Sequence, residues 1–435
     1  MTFPYPPDPA SRQPFTITAF LPLCSLHYIL AVLAILPHTF IFKLALLPVV
    51  LWQVWKCAVG LDFGVGLANV FGLESSARLR HYNFVFVVRF LLSGIVSPFP
   101  PFPLTIETTQ AALFDLALRS VSWTFAKKPL RRCYPPVEGR YAAPIERPLS
   151  IPNVLLDAFD LLCNPRGIGW SWSHQPFPNT STRSTYIAVV LAKLVFKLVA
   201  FDASQYIVQY LRPTVDVPAG DTLFDPTLSF VPRCAWATLY TLCGGVVVFA
   251  TVDVAYHISM LVGRVLLRQA AWQWPPLFDR PWTSTSIKDF WGFRWHQFFR
   301  HMFVIFGSRP GCALLGRPGA LVGAFTVSAV MHDVGTWGVG RGTEFCTVGG
   351  FFLLMGVGAA LEHGFKQVTG RRVGGLWGWA WTMGWTISWG TLMIDAWARR
   401  GMFAADFFPD GLRPGKLLVD AIISLSRREF DIPLS

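Results

Sequence analysis

Charge is what this chain has least of. Asp, Glu, Lys and Arg together supply 14% of its 435 residues, where soluble globular domains carry about a quarter. The apolar excess, 53% of residues, is gathered into long runs, which excludes an ordinary water-soluble fold and points to an integral membrane protein. Other absences narrow the chemistry. The eight cysteines (Cys24, Cys57, Cys133, Cys163, Cys234, Cys243, Cys312, Cys346) never fall as CxxC or at a metal-ligand spacing. Neither a disulfide framework nor a thiolate metal centre is implied, and most of them sit in or beside apolar runs, where cysteine behaves as a small hydrophobe. HExxH and HxxxH are both missing, so no metal is expected. No GxSxG elbow is present, which excludes a serine nucleophile of that kind. No internal repeat is visible, which argues against the duplicated architecture of many transporters. The segment from Met1 to Phe15 is Pro-rich and polar but lacks a basic n-region with a cleavage site. No removable signal peptide is expected, and the first span serves as the insertion signal.

What is present is apolar, aromatic and basic. The net charge is +12, carried in short pairs such as Lys127/Lys128, Arg131/Arg132, Arg371/Arg372, Arg399/Arg400 and Arg427/Arg428. Such pairs fit cytoplasmic loops held on anionic lipid; the sharper reading is that some attract an anionic substrate. No basic stripe or binding motif accompanies them, so no nucleic acid partner is expected. The 18 Trp residues suit interfacial belts.

About 20 apolar residues cross a bilayer as a helix. Thr16–Pro37 and Thr39–Val59 meet that length, with Lys43 near one end of the second, placed to snorkel. Tyr82–Val96 is shorter and carries Arg89, which suits a re-entrant or tilted segment. Pro98–Thr185 reads mostly as non-membrane: an amphipathic piece at Thr109–Phe125, then basic loop, then the phrase Asp160–Trp172, where Asn164-Pro165 starts a turn. Asn179-Thr180-Ser181 is a glycosylation sequon, used only in a lumenal loop, and a lumenal placement is not expected. Further spans are expected at Tyr186–Leu211, interrupted by Lys193, Lys197 and Asp202, and at Cys234–Leu266, with Asp253 and His257 as a possible buried pair. Gly319–Gly340, Cys346–Leu361 and Trp377–Trp397 complete the set, while Phe298–Phe306 is too short to cross. Lys416–Phe430 reads as an amphipathic surface helix. The expected fold is all-α and polytopic, with roughly seven to nine transmembrane helices. Its expected organisation is a polar tail at 1–15 and a single membrane domain over 16–430.

Two features carry chemistry. His332 lies in an otherwise apolar helical run, with Ser328 and Thr336 four residues to either side on the same face and Asp333 pointing elsewhere. An ionisable group at membrane depth is a functional candidate, and an imidazole with a reference pKa of about 6.5 suits a general base. The plainer alternative is a buried histidine bonded to a neighbouring helix. The second feature is Lys288-Asp289-Phe290-Trp291-Gly292-Phe293-Arg294-Trp295-His296-Gln297. As a helix it places Trp291 with Trp295, and His296 with Arg300; Ser284, Thr285 and Ser286 offer N-caps. Taken alone, it also fits an interfacial helix with Trp at headgroup level. His363, beside Glu362 at the end of a span, reads as interfacial, and His27, His38, His81, His174 and His257 read as structural.

Together these residues resemble the wax-synthase-like branch of the membrane-bound O-acyltransferases. That family pairs an aromatic Phe-Trp-Gly-x-x-Trp-(His/Asn) box with a membrane histidine in a later span, here over about 280–350. Asn164-Pro165-Arg166-Gly167-Ile168-Gly169-Trp170 resembles its cytosolic segment. The resemblance implies a multi-helix membrane fold around an internal tunnel, with amphipathic and re-entrant segments. It implies acyl-CoA as co-substrate, acetyl-CoA being favoured, with no bound cofactor. The implied acceptor is a hydrophobic alcohol of terpenoid type. The enzyme alternative is long-chain-alcohol acyl transfer, and the non-enzyme alternative is a lipid or small-molecule transporter. It further implies membrane lipid as surroundings and the endoplasmic reticulum as location. By position His332 matches the catalytic histidine, and His296 stands where the wider superfamily often has Asn. Asp289, Trp291, Arg294, Trp295, Gln297, Arg300 and Ser328 are the expected substrate-binding residues. Two departures are evident: Ala329-Val330-Met331 lacks the small Gly often found before the histidine, and Phe293 replaces a commonly basic residue. HHxxxDG, the mark of soluble-type acyltransferases, is absent.

Overall fold

A computed structural model of the chain describes residues 12–62, 106–134, 145–172, 187–217, 219–338, 342–404, 408 and 411–429. The expected segment at Tyr82–Val96 and the sequon at Asn179 lie outside the described residues. The chain is an all-α integral membrane protein. Its helices are α1 (Ile17–Ile35), α2 (Phe40–Gly60), α3 (Ile106–Thr124), α4 (Ile151–Cys163), α5 (Ile187–Leu211), α6 (Phe230–Leu261), α7 (Ile287–Asp289), α8 (Arg300–Phe303), α9 (Arg309–Gly338), α10 (Val348–Thr369), α11 (Gly375–Ala398) and α12 (Pro414–Glu429). Two-residue strands β1 (Gln13–Pro14) and β2 (Leu61–Asp62) pair in parallel, and β3 (Cys133–Tyr134) pairs antiparallel with β4 (Ile145–Glu146). Among the described residues, five segments are long and apolar enough to cross a membrane: 17–35, 40–60, 230–265, 300–337 and 348–369. α5 and α11 occupy two further expected spans; Lys193, Lys197 and Asp202 break the apolar run of the first, and Gly and Trp dilute the second.

The helices fall into two compact units. One gathers residues of 1–70, 105–183 and 269–382. Its N-terminal core is made by the buried faces of α1 (Leu23, Leu30, Ala34), α2 (Val50, Val54), α3 (Leu113, Trp123) and α4 (Val154, Leu161). Thr16 caps α1 through its hydroxyl, which accepts from the Ala19 amide at 3.1 Å. The outward faces are as apolar as the core: Ile41, Phe42 and Trp52 are 76%, 66% and 62% exposed, as a surface solvated by lipid requires. Lys43 does not snorkel. It is buried and donates to the Trp123 carbonyl at 3.0 Å. That carbonyl lies in the last turn of α3, where no intrahelical donor remains and the helix end is electronegative.

The same unit contains a fold-back that hydropathy alone disguises. α8 continues through a π-turn at Val304–Ser308 into α9. α9 is interrupted at Leu315 (φ −133°, ψ 19°) and Gly316 (φ 63°, ψ −148°), a conformation reserved for glycine. The segment 300–337 is thus a helical hairpin with arms at 300–314 and 317–338, not one span. At 1.5 Å per residue the first arm rises only about 22 Å and the second about 33 Å, against a hydrocarbon core of about 30 Å. The arms touch backbone to backbone. A Cβ on Gly311 would lie 2.1 Å from the Gly319 carbonyl oxygen, and one on Gly307 would lie 2.3 Å from that of Gly323. Each arm therefore presents a GxxxG pair, 307/311 and 319/323, to the other.

The second unit gathers residues of 71–104, 184–268 and 383–435. α5 and α6 pack through Leu194, Val254 and Ile258, and through Phe201, Val247 and Ala250. Lys197 pairs with Asp253, and His257 Nδ1 donates to the Asp253 carbonyl at 2.7 Å. The possible Asp253–His257 pair is thus part of a three-residue cluster in which Asp253 is buried and Lys197 and His257 are half-buried. Asp202 is also buried; it accepts from Arg413 Nε at 2.8 Å and from the Gly415 and Lys416 amides at 2.8 and 3.1 Å, capping α12. The exposed Leu417, Ile422 and Leu425 give α12 the apolar face expected of a surface helix.

Gly311→Ala is expected to lower the melting temperature in detergent, because overpacking costs about 1–3 kcal/mol. Gly364→Ala, where a new Cβ meets nothing within 4 Å, is expected to leave it unchanged or raise it. Equal melting temperatures for the two variants would refute the hairpin contact.

Candidate active site

The aromatic box is not one helix. Ser286 caps α7 by accepting from the Asp289 amide at 3.0 Å. The helix then widens into a π-turn over Phe290–Arg294 and stops at Trp295, whose backbone is extended (φ −77°, ψ 153°). Helix resumes only at Arg300. The shared face expected for His296 and Arg300 is therefore absent, although Trp291 and Trp295 still meet, with ring centroids 5.6 Å apart. The polar residues of the box hold this broken shape. Asp289 accepts from Arg294 Nε at 2.6 Å, and Arg294 Nη1 also donates to Thr283 Oγ1 at 3.0 Å. Gln297 Nε2 donates to the carbonyls of Trp295 and Trp291 at 2.6 and 3.1 Å. Arg300 Nη1 donates to the Gly292 carbonyl at 2.5 Å and lies over the Phe293 ring.

Glu362, which reads in the sequence as the polar end of a span, anchors the box from α10. Its carboxylate accepts from the amides of Ile287 and Lys288 at 2.6 and 3.3 Å and from Trp381 Nε1 at 3.0 Å. A carboxylate at the first turn of α7 satisfies amides that have no intrahelical acceptor. No sequence motif announces this role; the one signal is an acidic residue inside a segment otherwise apolar enough to span.

His332 sits on the long arm of the hairpin, half-buried. Its Nδ1 is 2.8 Å from the Ser328 carbonyl oxygen. A carbonyl only accepts, so Nδ1 carries the proton and Nε2 presents a lone pair. Ser328 thus acts through its backbone, and the partner of Nδ1 lies one turn back in the same helix rather than on another helix. The imidazole is stacked on Phe352 of α10, centroids 4.0 Å apart and planes 25° apart. Phe352 also meets Trp291 at 6.1 Å, and Trp291 meets Phe325 and Phe351 at 6.1 and 5.9 Å. One aromatic wall therefore joins His332 to the box.

His296 follows Trp295 and is ringed by Trp295, Phe278, Phe298 and Phe299, with centroids 5.9 to 6.3 Å away. Burial, then the neighbouring charges of His332 and Arg166, push its pKa down to about 3. His296 is neutral near pH 7, and both histidines belong to one electrostatic site. Arg166 comes from the Asn164–Trp170 phrase. It is buried and donates to the Pro275 carbonyl at 2.9 Å. Asp160 shapes this loop by accepting from Trp170 Nε1 at 2.8 Å and from Arg132. Gly169 (φ 77°) lies so close to Trp272 that a Cβ would sit 2.8 Å from the ring. Among the described residues no group of three or more His, Cys, Asp or Glu is placed to hold a metal.

The site thus joins a histidine of fixed tautomer on a membrane helix to an aromatic box. Residues 274–354, which contain both features, match the family described as membrane bound O-acyl transferase family. The long-chain-alcohol O-fatty-acyltransferase of Simmondsia chinensis is 34% identical over 106 residues, 22% of this chain and 30% of the relative. The O-Mevalon transferase yanI of Aspergillus niger is 26% identical over 217 residues, 45% of this chain and 48% of the relative. The acetyltransferase ple2 of Rhodocybe pseudopiperita is 26% identical over 227 residues, 49% of this chain and 57% of the relative. The chain thus spans between about a third and about a half of the length of these relatives. Over residues 274–354 the chain resembles the wax-synthase-like membrane-bound O-acyltransferases.

Two outcomes are expected. Glu362→Ala should lower stability by about 0.5–2 kcal/mol, the range for loss of a helix cap, and should increase amide exchange at Ile287 and Lys288; unchanged exchange would refute the capping role. The folded pKa of His296 lies below its unfolded value, so the unfolded chain binds more protons between about pH 6.5 and about 3, and stability is lost as pH falls through that window. Melting temperature against pH should fall less steeply there for His296→Gln than for the natural protein; parallel curves would contradict the assignment.

Proposed function

We propose that this protein transfers an acyl group from acyl-CoA to the hydroxyl of a hydrophobic alcohol within the membrane. The observation that supports the reading is the His332 tautomer: Nδ1 held by the Ser328 carbonyl leaves Nε2 with a lone pair. In this reading Nε2 takes the hydroxyl proton as the oxygen attacks the thioester carbonyl. The C–O bond forms, the C–S bond breaks, and the imidazolium returns its proton to the departing thiolate. No enzyme nucleophile is required. Neutral His296 orients the alcohol or the thioester. Trp291, Trp295 and Ser328 line the reacting groups. Asp289, Arg294, Gln297 and Arg300, already bonded within the box, keep the donor's wall in shape, and in this reading the two arginines also meet CoA phosphates.

The acyl group is acetyl and the acceptor a terpenoid-type secondary metabolite in this reading, supported by relatives named acetyltransferase and O-Mevalon transferase. Long-chain-alcohol transfer is the alternative, supported by the Simmondsia relative. A tunnel reaching His332, one acyltransferase domain over 16–430 without a resident cofactor, and residence in the endoplasmic reticulum complete the proposal. The Lys197–Asp253–His257 cluster is the observation that favours a transporter instead.

Membranes containing the protein should release CoA from acetyl-CoA in the presence of hydrophobic alcohols, and more slowly from palmitoyl-CoA. His332→Ala should reduce release at least about 100-fold, the lower end of general-base contributions, with expression unchanged. Residual turnover within a few-fold of the natural protein would overturn the reading.

A further inference from the structure

The Trp291 indole nitrogen is buried and has no hydrogen-bond partner among the described residues. A buried orphan donor is destabilising by about 1–3 kcal/mol, and such groups in native structures call for an explanation. Other indoles share the condition, among them those of Trp123 and Trp172, but their ring contacts are with His27 and His301. Trp291 alone of these three touches the ring on which His332 is stacked, through Phe352. Its other neighbours, Phe325 and Phe351, offer no side-chain acceptor.

Donor and acceptor chemistry then sorts the polar atoms of the site. His332 Nε2 only accepts, because Nδ1 holds the ring's one proton against Ser328. Trp291 Nε1 only donates. His296 Nδ1, also buried without a partner, can do either. An alcohol and a thioester bring to such a site one proton to be accepted and one oxygen that gains charge. The lone pair of His332 suits the first, and the obligate donor suits the second.

We propose that the Trp291 indole N–H holds the thioester carbonyl oxygen and stabilises the oxyanion that forms there. The assignment rests on the acyl-transfer reading and adds a catalytic residue to it. As the acceptor oxygen bonds to the carbonyl carbon, the C=O electron pair moves onto the oxygen facing Trp291. It returns when the C–S bond breaks and the pair leaves on sulfur. No proton leaves the indole, which acts as a preorganised dipole in an aromatic, water-poor wall.

The test is Trp291→Phe, which removes the N–H and keeps a ring against Phe325, Phe351 and Phe352. The expected result is a fall in kcat of about 100- to 1,000-fold, the loss seen on removing one oxyanion donor, with KM for acyl-CoA within a few-fold. Unchanged kcat, or a rise in KM alone, would overturn the assignment. A second measurement is made with a carbonyl-labelled acyl-CoA bound to the His332→Ala protein. Its thioester stretch should shift to lower frequency than in water, and the shift should vanish in His332→Ala/Trp291→Phe; a shift that survives also refutes it. Absence of turnover by the natural protein would sink the acyl-transfer reading itself. An active natural protein, an inactive His332→Ala and a fully active Trp291→Phe would sink the Trp291 role alone.

Discussion

At hydrocarbon depth there is no water to satisfy a polar atom, so each one must find its partner inside the chain. This constraint organises the structure from its core to its site. Lys43 is turned inward and donates to a carbonyl in the last turn of α3. Asp202 collects a guanidinium and two backbone amides and so fixes the start of α12. Glu362 does the same for α7, and through α7 for the aromatic box. The requirement also settles the state of His332, since only the Nδ1–H tautomer satisfies both the imidazole and the Ser328 carbonyl.

The hairpin is the second organising device. Four glycines remove the side chains that would separate its arms, and Gly316 supplies the backbone conformation at the reversal. A turn of this kind delivers His332 on the longer arm while the shorter arm runs back toward the box. α10 packs on the longer arm and brings Phe352 to the imidazole and Glu362 to the start of α7. One helix therefore holds both halves of the candidate site, which makes their spacing a property of rigid elements rather than of loops.

Much of this was legible in the residues. The spans at 17–35 and 40–60 follow from long apolar runs. The 289–297 box and His332 stood out through their order and the family they resemble, and the structure joins the two through one aromatic wall. The helical reading of 288–300 failed because periodicity carries no sign of a π-turn or of the extended break at Trp295. The snorkelling of Lys43 failed because a lysine near a helix end has two outlets, and only packing decides which carbonyl is in reach. Hydropathy separated a short segment at Phe298–Phe306 from a span at Gly319–Gly340 but gave no sign that they fold back on each other; the two GxxxG pairs were the signal that could have revealed the contact.

By itself, then, the sequence determined what is local: apolar length, helical preference, the absence of metal and nucleophile motifs, and the residue types of the site. The tertiary structure decided what depends on contacts between distant segments. It made Glu362 a cap, placed Phe352 under His332, brought Arg166 within electrostatic range of His296, and left the Trp291 N–H facing no acceptor. The physical reason is that a hydrogen bond or ring contact is a relation between positions far apart in the chain, and no pattern within one segment encodes its partner.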